Sequence, residues 1–574
     1  MAVSVTRSKA RRQEPAVGRP AALPEPPASA TATVMRNSLA GSVWTVVSRL
    51  TGLVKAIVVG AVLGATYLGN TYQSINSLPN LVFYQLLAGS LFASLLVPPL
   101  VRYVDEGDHL RAQRFVRGFL GSLLLIAGVV SGILVAVGPV IIRLLTAGVP
   151  DRATAAAQAR VGWLLLVMFV PQVSLYVIAG IGAAAMNARG RFALAAGAPA
   201  LESLGMIAVL IAAGLLFGTG SEIAHVPHGQ LLLLGLGTTA AVGLHAACQW
   251  GGARASGLTM IPSAGWRDPE VRRIVRRIVP TLGFTGLAAL QIFAVMVVAN
   301  RVQGGFVAFQ LALNFFYLPT AIVTWPTARA LLPQLSRLHH AGHGRSFRGE
   351  LLRGVTVASF LTVPIAAAYV ALSFPLAHAL AFGRLGEGGA WRLTALSLAS
   401  LAPGVVGETW FILGTYAFYA RHDVRSPLRS MAIRVGVSLT LMAGAWLTGR
   451  GAAVLVLLGL SLSIGSLVGA AHIAWRLRAN LPRTGFPLVA PLARTVAASL
   501  VMVVPAYLTT LAFRGLPETK PSQLLAVIAA TLVGTAVFLG VQTVWRAPEL
   551  AWLKSGMLRK RLPSGSRLSR GGRR

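Results

Sequence analysis

The sequence contains few charged residues and almost no cysteine. Of its 574 residues only 12% are Asp, Glu, Lys or Arg, while 55% are hydrophobic, whereas an ordinary soluble domain carries about 25% charged residues. A soluble fold of this length could not cover its surface with so few charges, so we predict an integral membrane protein. The one cysteine, Cys248, lies in an apolar segment, which excludes an intramolecular disulfide and a thiolate zinc site.

Acidic residues are much scarcer than basic ones. The chain has 16 Asp and Glu against 51 Lys and Arg, a formal net charge of +35. Such a bias favours phosphate contacts and would suit a nucleic-acid-binding protein. The arginines lie mainly between apolar segments and in the two terminal segments, however, where determinants of membrane topology are found. We therefore expect no nucleic-acid partner.

Motifs of catalysis and cofactor binding are also missing. There is no Walker-type phosphate loop, and the glycine-rich segment 383–389 follows no predicted strand, which argues against dinucleotide binding. The cluster His339, His340 and His343 is interpreted as a solvated loop and not as a metal site. We expect a protein that is not an enzyme and that holds no cofactor and no metal.

Apolar segments of membrane-spanning length recur along nearly the whole chain. Because about 20 residues of α-helix cross a bilayer, the pattern predicts an all-α integral membrane fold of about fourteen transmembrane helices. The predicted spans are 38–64, 76–100, 116–142, 161–186, 193–217, 229–251, 278–300, 306–332, 354–382, 393–419, 430–449, 451–475, 489–513 and 522–545.

The charges between the spans predict the topology. Residues 1–35 are basic and rich in Pro and Ala, without the apolar core of a signal peptide, so we interpret them as a disordered cytoplasmic tail. With the N-terminus inside, most loop arginines face the cytoplasm, as the positive-inside rule requires. The even number of spans then places the basic segment 548–574 inside as well. Both termini are predicted to be cytoplasmic.

Two pairs of landmarks indicate an internal repeat. Arg189 follows the fourth span and Arg421 the tenth, and a Leu-Pro pair ends at Pro79 in the second span and at Pro319 in the eighth. The separation within each pair is similar, which predicts two six-helix lobes in a parallel repeat, followed by two extra helices. The predicted boundaries are 1–35 for the N-terminal tail, 36–270 and 271–480 for the lobes, 481–547 for the extra helices and 548–574 for the C-terminal tail.

Two basic residues of the first span are candidate binding residues, because ionisable groups within a membrane are costly and mark pathways. Arg49 lies eleven residues past Ser38, which is roughly 16 Å along a helix and near the bilayer midplane. Lys55 is about 240° further around the helix axis, so the two side chains do not share one narrow face.

Glu202 in the fifth span and Glu408 in the tenth are the other candidates. Each could be a counter-charge to Arg49, a cation site or a proton carrier. Arg434, near the start of its span, is expected to extend its charged end to the cytoplasmic interface. His245 is expected to be a hydrogen-bonded structural histidine.

Several short motifs resemble one known family. They occupy residues 48–55, 70–72, 77–80, 187–192 with 198–199, 332–336 and, as the best match, 417–427. All are similar to motifs of the MurJ (MviN) family of lipid II flippases, within the multidrug/oligosaccharidyl-lipid/polysaccharide exporter superfamily. The resemblance covers roughly residues 36–545, and the number and order of the spans agree with it.

The resemblance implies two lobes around a central cavity that opens alternately to the two sides of a bacterial cytoplasmic membrane. The substrate would be a lipid-linked glycan pyrophosphate of peptidoglycan biosynthesis, with its polyprenyl tail along the two extra helices. Arg49 matches the family's first-helix arginine and would contact the diphosphate, and Lys55 stands where a second arginine is usual. Asn70 and Asn314 replace a family acid and a family arginine at substrate-binding positions, and Phe83 and Tyr84 replace basic residues.

Because of these departures, the substrate could be either lipid II or a related lipid-linked saccharide. One alternative is a cation-coupled small-molecule exporter of the same superfamily, although Glu202 is the only acid within the N-terminal spans that could carry the cation. Another is a non-transporting scaffold that recruits cell-wall synthesis proteins, which the lost cavity charges would permit. A membrane glycosyltransferase is rejected because the external loops offer only isolated acids such as Asp151, Glu222 and Glu387.

Overall fold

The computed structural model describes residues 28–83, 96–276, 282–482, 485–486, 488–515 and 519–551. These residues form helices and contain no β-strand, and 13 helical segments among them are long and apolar enough to cross a membrane. They coincide with all the predicted spans except the second. The middle of that span, residues 84–95 with Tyr84, lies outside the described residues, as do 1–27 and 552–574 of the predicted tails. The all-α membrane fold is thus confirmed.

The described residues of the first lobe form eight helices. Its fourth span is two helices, α5 and α6, that meet at Pro171. The bounds are α1 Ala28–Val62, α2 Tyr67–Leu81, α3 Val97–Asp105, α4 His109–Thr146, α5 Arg152–Phe169, α6 Gln172–Ala188, α7 Phe192–Phe217 and α8 His228–Ala255. A short basic helix, α9 (Pro269–Arg276), leads to the second lobe.

The second lobe and the two extra helices complete the described fold. The eighth span consists of α11, a π-helical turn at Thr320–Thr324 directly after Pro319, and α12. The bounds are α10 Leu282–Ala299, α11 Gly305–Pro319, α12 Trp325–His340, α13 Gly344–Ala379, α14 Trp391–Tyr419, α15 Arg425–Thr448, α16 Ala452–Asn480, α17 Val489–Ala512 and α18 Lys520–Val544.

Packing within each lobe is tight because glycines let neighbouring helices approach. In the first lobe α7 packs on α1 and α8, and α6 packs on α8; in the second, α14 packs on α13 and α16. A Cβ on Gly182 would lie 2.7 Å from the Gln249 carbonyl oxygen, and one on Gly407 2.7 Å from the Leu467 nitrogen. Small residues at helix contacts are typical of membrane bundles. The extra helices α17 and α18 pack on each other and on α13.

The two lobes meet at one end of the bundle, where α1 ends and α2 and α11 begin; we call it the joined end. Gly304 adopts a positive φ of 68° there, and a Cβ on it would lie 2.2 Å from the Cα of Ala65. Similarly, the backbone at Gly383 lies against Ala61. The side chains of Asn70 and Asn300 form hydrogen bonds between the lobes at this end. We call the opposite end of the bundle, where α1 and α4 begin, the open end.

Candidate functional site

Arg49 presents an unpaired positive charge at mid-depth in α1. It is exposed, and it precedes the end of α1 at Val62 by thirteen residues, which places it about 20 Å from the joined end. Among the described residues no carboxylate lies within ion-pair distance of its guanidinium. Gly60, eleven residues further along α1 and within about 20° around its axis, lies against Leu385 of the second lobe. Arg49 is therefore on the side of α1 that is turned toward that lobe.

Lys55 lies on a different face of α1, the face that packs against α7. Trp44 and Val62 touch α7 at Gly197 and Gly214. Lys55 follows Trp44 by eleven residues and precedes Val62 by seven, which returns it to the same side of the helix to within about 20°. Its side chain is half-buried. As expected from their spacing, Arg49 and Lys55 do not share a face.

Glu202 lies inside the first lobe and is hydrogen-bonded to two other helices. The Tyr176 hydroxyl of α6 donates to Oε1 at 2.9 Å, and Nδ1 of His245 in α8 lies 2.8 Å from Oε2. We call Glu202, Tyr176 and His245 the Glu202 cluster. Lys55 is close enough to interact electrostatically with the carboxylate. The structure thus gives Glu202 partners other than Arg49, and His245 forms the structural hydrogen bond expected of it.

Glu408 is paired inside the second lobe with a residue for which the sequence interpretation was wrong. Arg434 does not extend to the interface: it is 6% exposed, and its Nη1 lies 2.7 Å from Oε2 of Glu408. Its guanidinium also lies over the ring of Phe411, and the Ser466 hydroxyl donates to the same carboxylate oxygen at 3.4 Å. A carboxylate from α14 supplies the counter-charge that makes burial of Arg434 affordable.

Asn70 lies in the joined end and not at the depth of Arg49. It is fully buried. Its amide nitrogen donates to the Val302 carbonyl at 2.8 Å, and its amide oxygen accepts from the backbone nitrogens of Phe306 at 3.0 Å and Val307 at 3.3 Å. Asn70 thus caps the first turn of α11 from the other lobe. This geometry favours a contact between lobes over the predicted contact with substrate.

Asn314 lies on α11 within about one helical turn of the depth of Arg49, and a neighbouring tyrosine was missed by the sequence interpretation. The half-buried Asn314 donates to the Gln310 carbonyl of its own helix at 2.8 Å. Tyr317 is 41% exposed and lies twelve residues past Gly305, about 18 Å from the joined end. Tyr317 follows Asn314 by three residues, a helical spacing that could have placed it beside that candidate in the sequence analysis. Arg49 and Tyr317 therefore lie at nearly the same level on α1 and α11, and Asn314 lies about one helical turn closer to the joined end.

Phe83, one of the two aromatic departures, belongs to the packed interior of the first lobe. It is 3% exposed, and its ring is stacked on that of Tyr176 at 5.7 Å between centroids. It therefore supports the Glu202 cluster from the α2 side and offers no polar group to a ligand.

Two lobes of apolar spans, linked at one end and carrying an unpaired cation at mid-depth, define a multi-pass membrane protein with a transporter architecture. A family model described as lipid II flippase MurJ matches residues 59–529. The chain belongs to this family, which confirms the resemblance drawn from the motifs.

Relatives and solved structures agree with this membership. The probable lipid II flippase MurJ of Rhizobium tropici is 26% identical over 69% of this chain and 72% of its own. The lipid II flippase MurJ of Burkholderia cenocepacia is 24% identical over 70% of this chain and 76% of its own. A solved lipid II flippase MurJ in an inward closed conformation has a TM-score of 0.68 at 16% identity, over 88% of this chain and 98% of that one.

The fold is also shared with a solved multidrug transporter. An inward-facing multidrug resistance MATE family transporter of the MOP superfamily has a TM-score of 0.57 at 14% identity, over 75% of this chain and 95% of that one. At this identity the likeness concerns the fold alone.

Proposed function

We propose that this protein is a flippase that moves an undecaprenyl-pyrophosphate-linked cell-wall precursor, lipid II or a related lipid-linked saccharide, by alternating access. Family membership supports the transport of a lipid-linked substrate. The observation that carries the proposal to this chain's own residues is the exposed guanidinium of Arg49 within a spanning helix, for which the described part of the chain offers no carboxylate partner. A charge in that position is costly unless an anion or water compensates it.

A diphosphate fits this cation in chemistry and in geometry. A guanidinium donates two parallel hydrogen bonds to phosphate oxygens, and such charge-assisted pairs are about twice as strong as neutral ones. Nearby on α11, Asn314 adds an amide oxygen that can accept from a sugar hydroxyl, and Tyr317 adds a phenol that can donate to the second phosphate. Lys55 is the second cation within reach along α1.

The charge distribution supports an orientation with the joined end outside. The basic residues at the open end include Arg102 and Arg111, near the ends of α3 and α4, and Arg189 and Arg421 in loops, and basic segments that flank spans remain in the cytoplasm. Both termini would then be cytoplasmic, in a bacterial inner membrane. In this conformation the substrate would enter from the cytoplasmic leaflet, and release outside would require the contacts of the joined end to separate.

The parts of the chain beyond the two lobes would serve the same function. The extra helices within 481–547 would carry the polyprenyl tail, while the basic tails 1–35 and 548–574 would face anionic headgroups or cell-wall synthesis proteins. The boundary between the lobes, at 270–271, would fall within the described helix α9.

Complementation tests the proposal in bacteria depleted of their own lipid II flippase. Wild type should restore growth, Arg49→Ala at equal expression should not, and Arg49→Lys should restore it partly because charge remains without the bidentate fork. Arg160→Ala is the matched control, since Arg160 is also an exposed helix arginine without an ion pair among the described residues. Equal growth with wild type and Arg49→Ala would refute the assignment of Arg49.

A cation-coupled exporter of small molecules is the second candidate, because the fold is shared with a MATE family transporter. Its cation would need a carboxylate that is free inside a lobe, yet Glu202 and Glu408 both have partners within 3 Å. Failure of complementation by correctly inserted wild type, together with cation-dependent efflux of dyes, would favour this candidate.

A further inference from the structure

We propose that the Glu202 cluster is a proton-binding site, which an anionic ligand loads by drawing the Lys55 ammonium away from the Glu202 carboxylate. This inference rests on the proposed function, because its anionic ligand is the diphosphate that Arg49 would bind. It assigns to the first lobe a second ligand, a proton, taken up from water together with the substrate.

The first step of the argument is the isolation of the cluster from water. The Glu202 and His245 side chains are 10% and 5% exposed, and both carboxylate oxygens are within hydrogen-bond distance of a protein partner. Water therefore cannot screen a change of charge there. In a low-dielectric interior the charge state of a carboxylate is set by the groups that face it.

The second step is the identity of those groups. The helices packed on α7 contribute Lys55 from α1, Tyr176 from α6 and His245 from α8 to the surroundings of Glu202. Lys55 is the one among them that carries an ammonium group. With Lys55 nearby, an ionised Glu202 balances the local charge, and Nδ1 of His245 lies within hydrogen-bond distance of it.

The third step is the position of Lys55 between two anions. Its side chain is half-buried on the α7 face of α1, and Arg49 lies six residues earlier on another face, about 9 Å along the axis. A diphosphate bound by Arg49 would compete with Glu202 for the flexible four-carbon side chain of Lys55. Once Lys55 has turned, the buried carboxylate lacks its counter-charge, and binding a proton from water restores neutrality.

That proton would be held on the Glu202 carboxyl group, within its 2.8 Å contact with Nδ1 of His245. Because the ligand-bound state holds more protons than the free state, affinity for the anion should rise as the pH falls through the range in which the cluster titrates. Protonation of the diphosphate itself acts in the opposite direction. The difference between wild type and Glu202→Gln therefore isolates the contribution of the cluster.

The experiment uses the full chain in lipid nanodiscs and farnesyl diphosphate as the probe. Titration calorimetry in two buffers of different ionisation enthalpy gives the protons taken up per probe bound. Uptake is expected for wild type and for Glu222→Gln, which makes the same substitution on an exposed loop carboxylate. It should vanish in Glu202→Gln, and the pH dependence of affinity should differ between the two proteins by up to about tenfold per pH unit.

A further variant, Lys55→Met, and the binding of the probe itself separate the possible failures. Lys55→Met should already hold the proton, so it should bind the probe through Arg49 with no uptake. If wild type binds the probe in an Arg49-dependent way but takes up no proton, or if Glu202→Gln takes up as many as wild type, the inference is wrong and the proposed function stands. If the probe does not bind, the proposed function fails, and so does the coupling.

An infrared pH titration without ligand then decides whether the cluster titrates at all. A protonated-carboxyl band that is present in Lys55→Met and lost in the double variant Lys55→Met/Glu202→Gln supports the proton site. The same spectrum in both variants overturns it.

Discussion

Asn70 links the two lobes, and removing its amide should shift the molecule away from the joined conformation. In Asn70→Ala the buried backbone nitrogens of Phe306 and Val307 and the carbonyl of Val302 lose their partner. Loss of a helix cap costs about 0.5–2 kcal/mol, and a buried unsatisfied group costs about 1–3 kcal/mol. When the lobes separate, water can reach the same groups, so the cost falls on the joined conformation alone.

The expected magnitude follows from that difference. A net loss of about 2–3 kcal/mol corresponds to a change of roughly 30- to 150-fold in the ratio of joined to separated molecules. Ser77→Ala is the matched control, because the Ser77 hydroxyl of the same helix donates only to the Gln73 carbonyl within α2. This control should leave the ratio unchanged.

Double electron–electron resonance measures the ratio. Spin labels on Glu222→Cys and Arg450→Cys, both exposed and one in each lobe, report the separation of the lobes at the joined end, with Cys248→Ser removing the single native thiol. Asn70→Ala should add or enlarge a long-distance population. Identical distance distributions in wild type and Asn70→Ala would refute the interpretation of Asn70 as a capping link between the lobes.

Three other expectations follow from the same packing. Arg434→Ala should lower the free energy of unfolding by about 3–5 kcal/mol because Glu408 is left buried and unpaired, and the double variant Arg434→Met/Glu408→Leu should regain most of it, as thermal unfolding in detergent can test; equal loss in both would contradict this reason. Partial burial raises the pKa of Asp423, but hydrogen bonds from Ser426 and from the Arg425 backbone lower this pKa below its usual value. The stabilisation is present above the pKa of Asp in the unfolded chain, about 3.9, and is lost as the pH falls through the lower pKa of the folded chain. Acid unfolding of Asp423→Asn should therefore lack that component. Gly304→Ala, which forces a Cβ against Ala65 at a positive φ, should separate the lobes in the same resonance assay, and an unchanged distance distribution would show that the joined end tolerates the side chain.

The spans could be predicted because the bilayer itself dictates their length and composition. An apolar segment of about 20 residues is recognisable in the sequence and has the length of the helix that crosses the bilayer. The predicted break between the spans 430–449 and 451–475 is also confirmed, because α15 ends at Thr448 and α16 begins at Ala452. The Leu-Pro landmarks also mark real breaks: α2 ends at Leu81, and a π-helical turn follows Pro319.

The partners of the charged side chains could not be predicted in the same way. Burial of Arg434 depends on Glu408, which lies on another helix and is brought within 2.7 Å only by the packing of the lobe. Likewise, the sequence placed Lys55 and Arg49 on different faces but could not say which face meets α7. Asn70 aligned with a substrate-binding position of the family, yet the side chain lies 2.8 Å from the Val302 carbonyl at the joined end.

The pairing of the charged side chains limits which cations can bind an anion between the lobes. Each lobe satisfies its buried carboxylate internally, Glu202 with His245 and Tyr176 and Glu408 with Arg434. Arg434 is therefore neutralised before any ligand arrives, while Lys55 lies on the face of α1 that packs against α7, the helix of Glu202. Arg49 has no carboxylate partner among the described residues, and its position at mid-depth makes solvation by bulk water incomplete. An anion bound between the lobes would gain most from Arg49 first and from Lys55 second, and the order in which the two cations engage then determines when the first lobe takes up its proton.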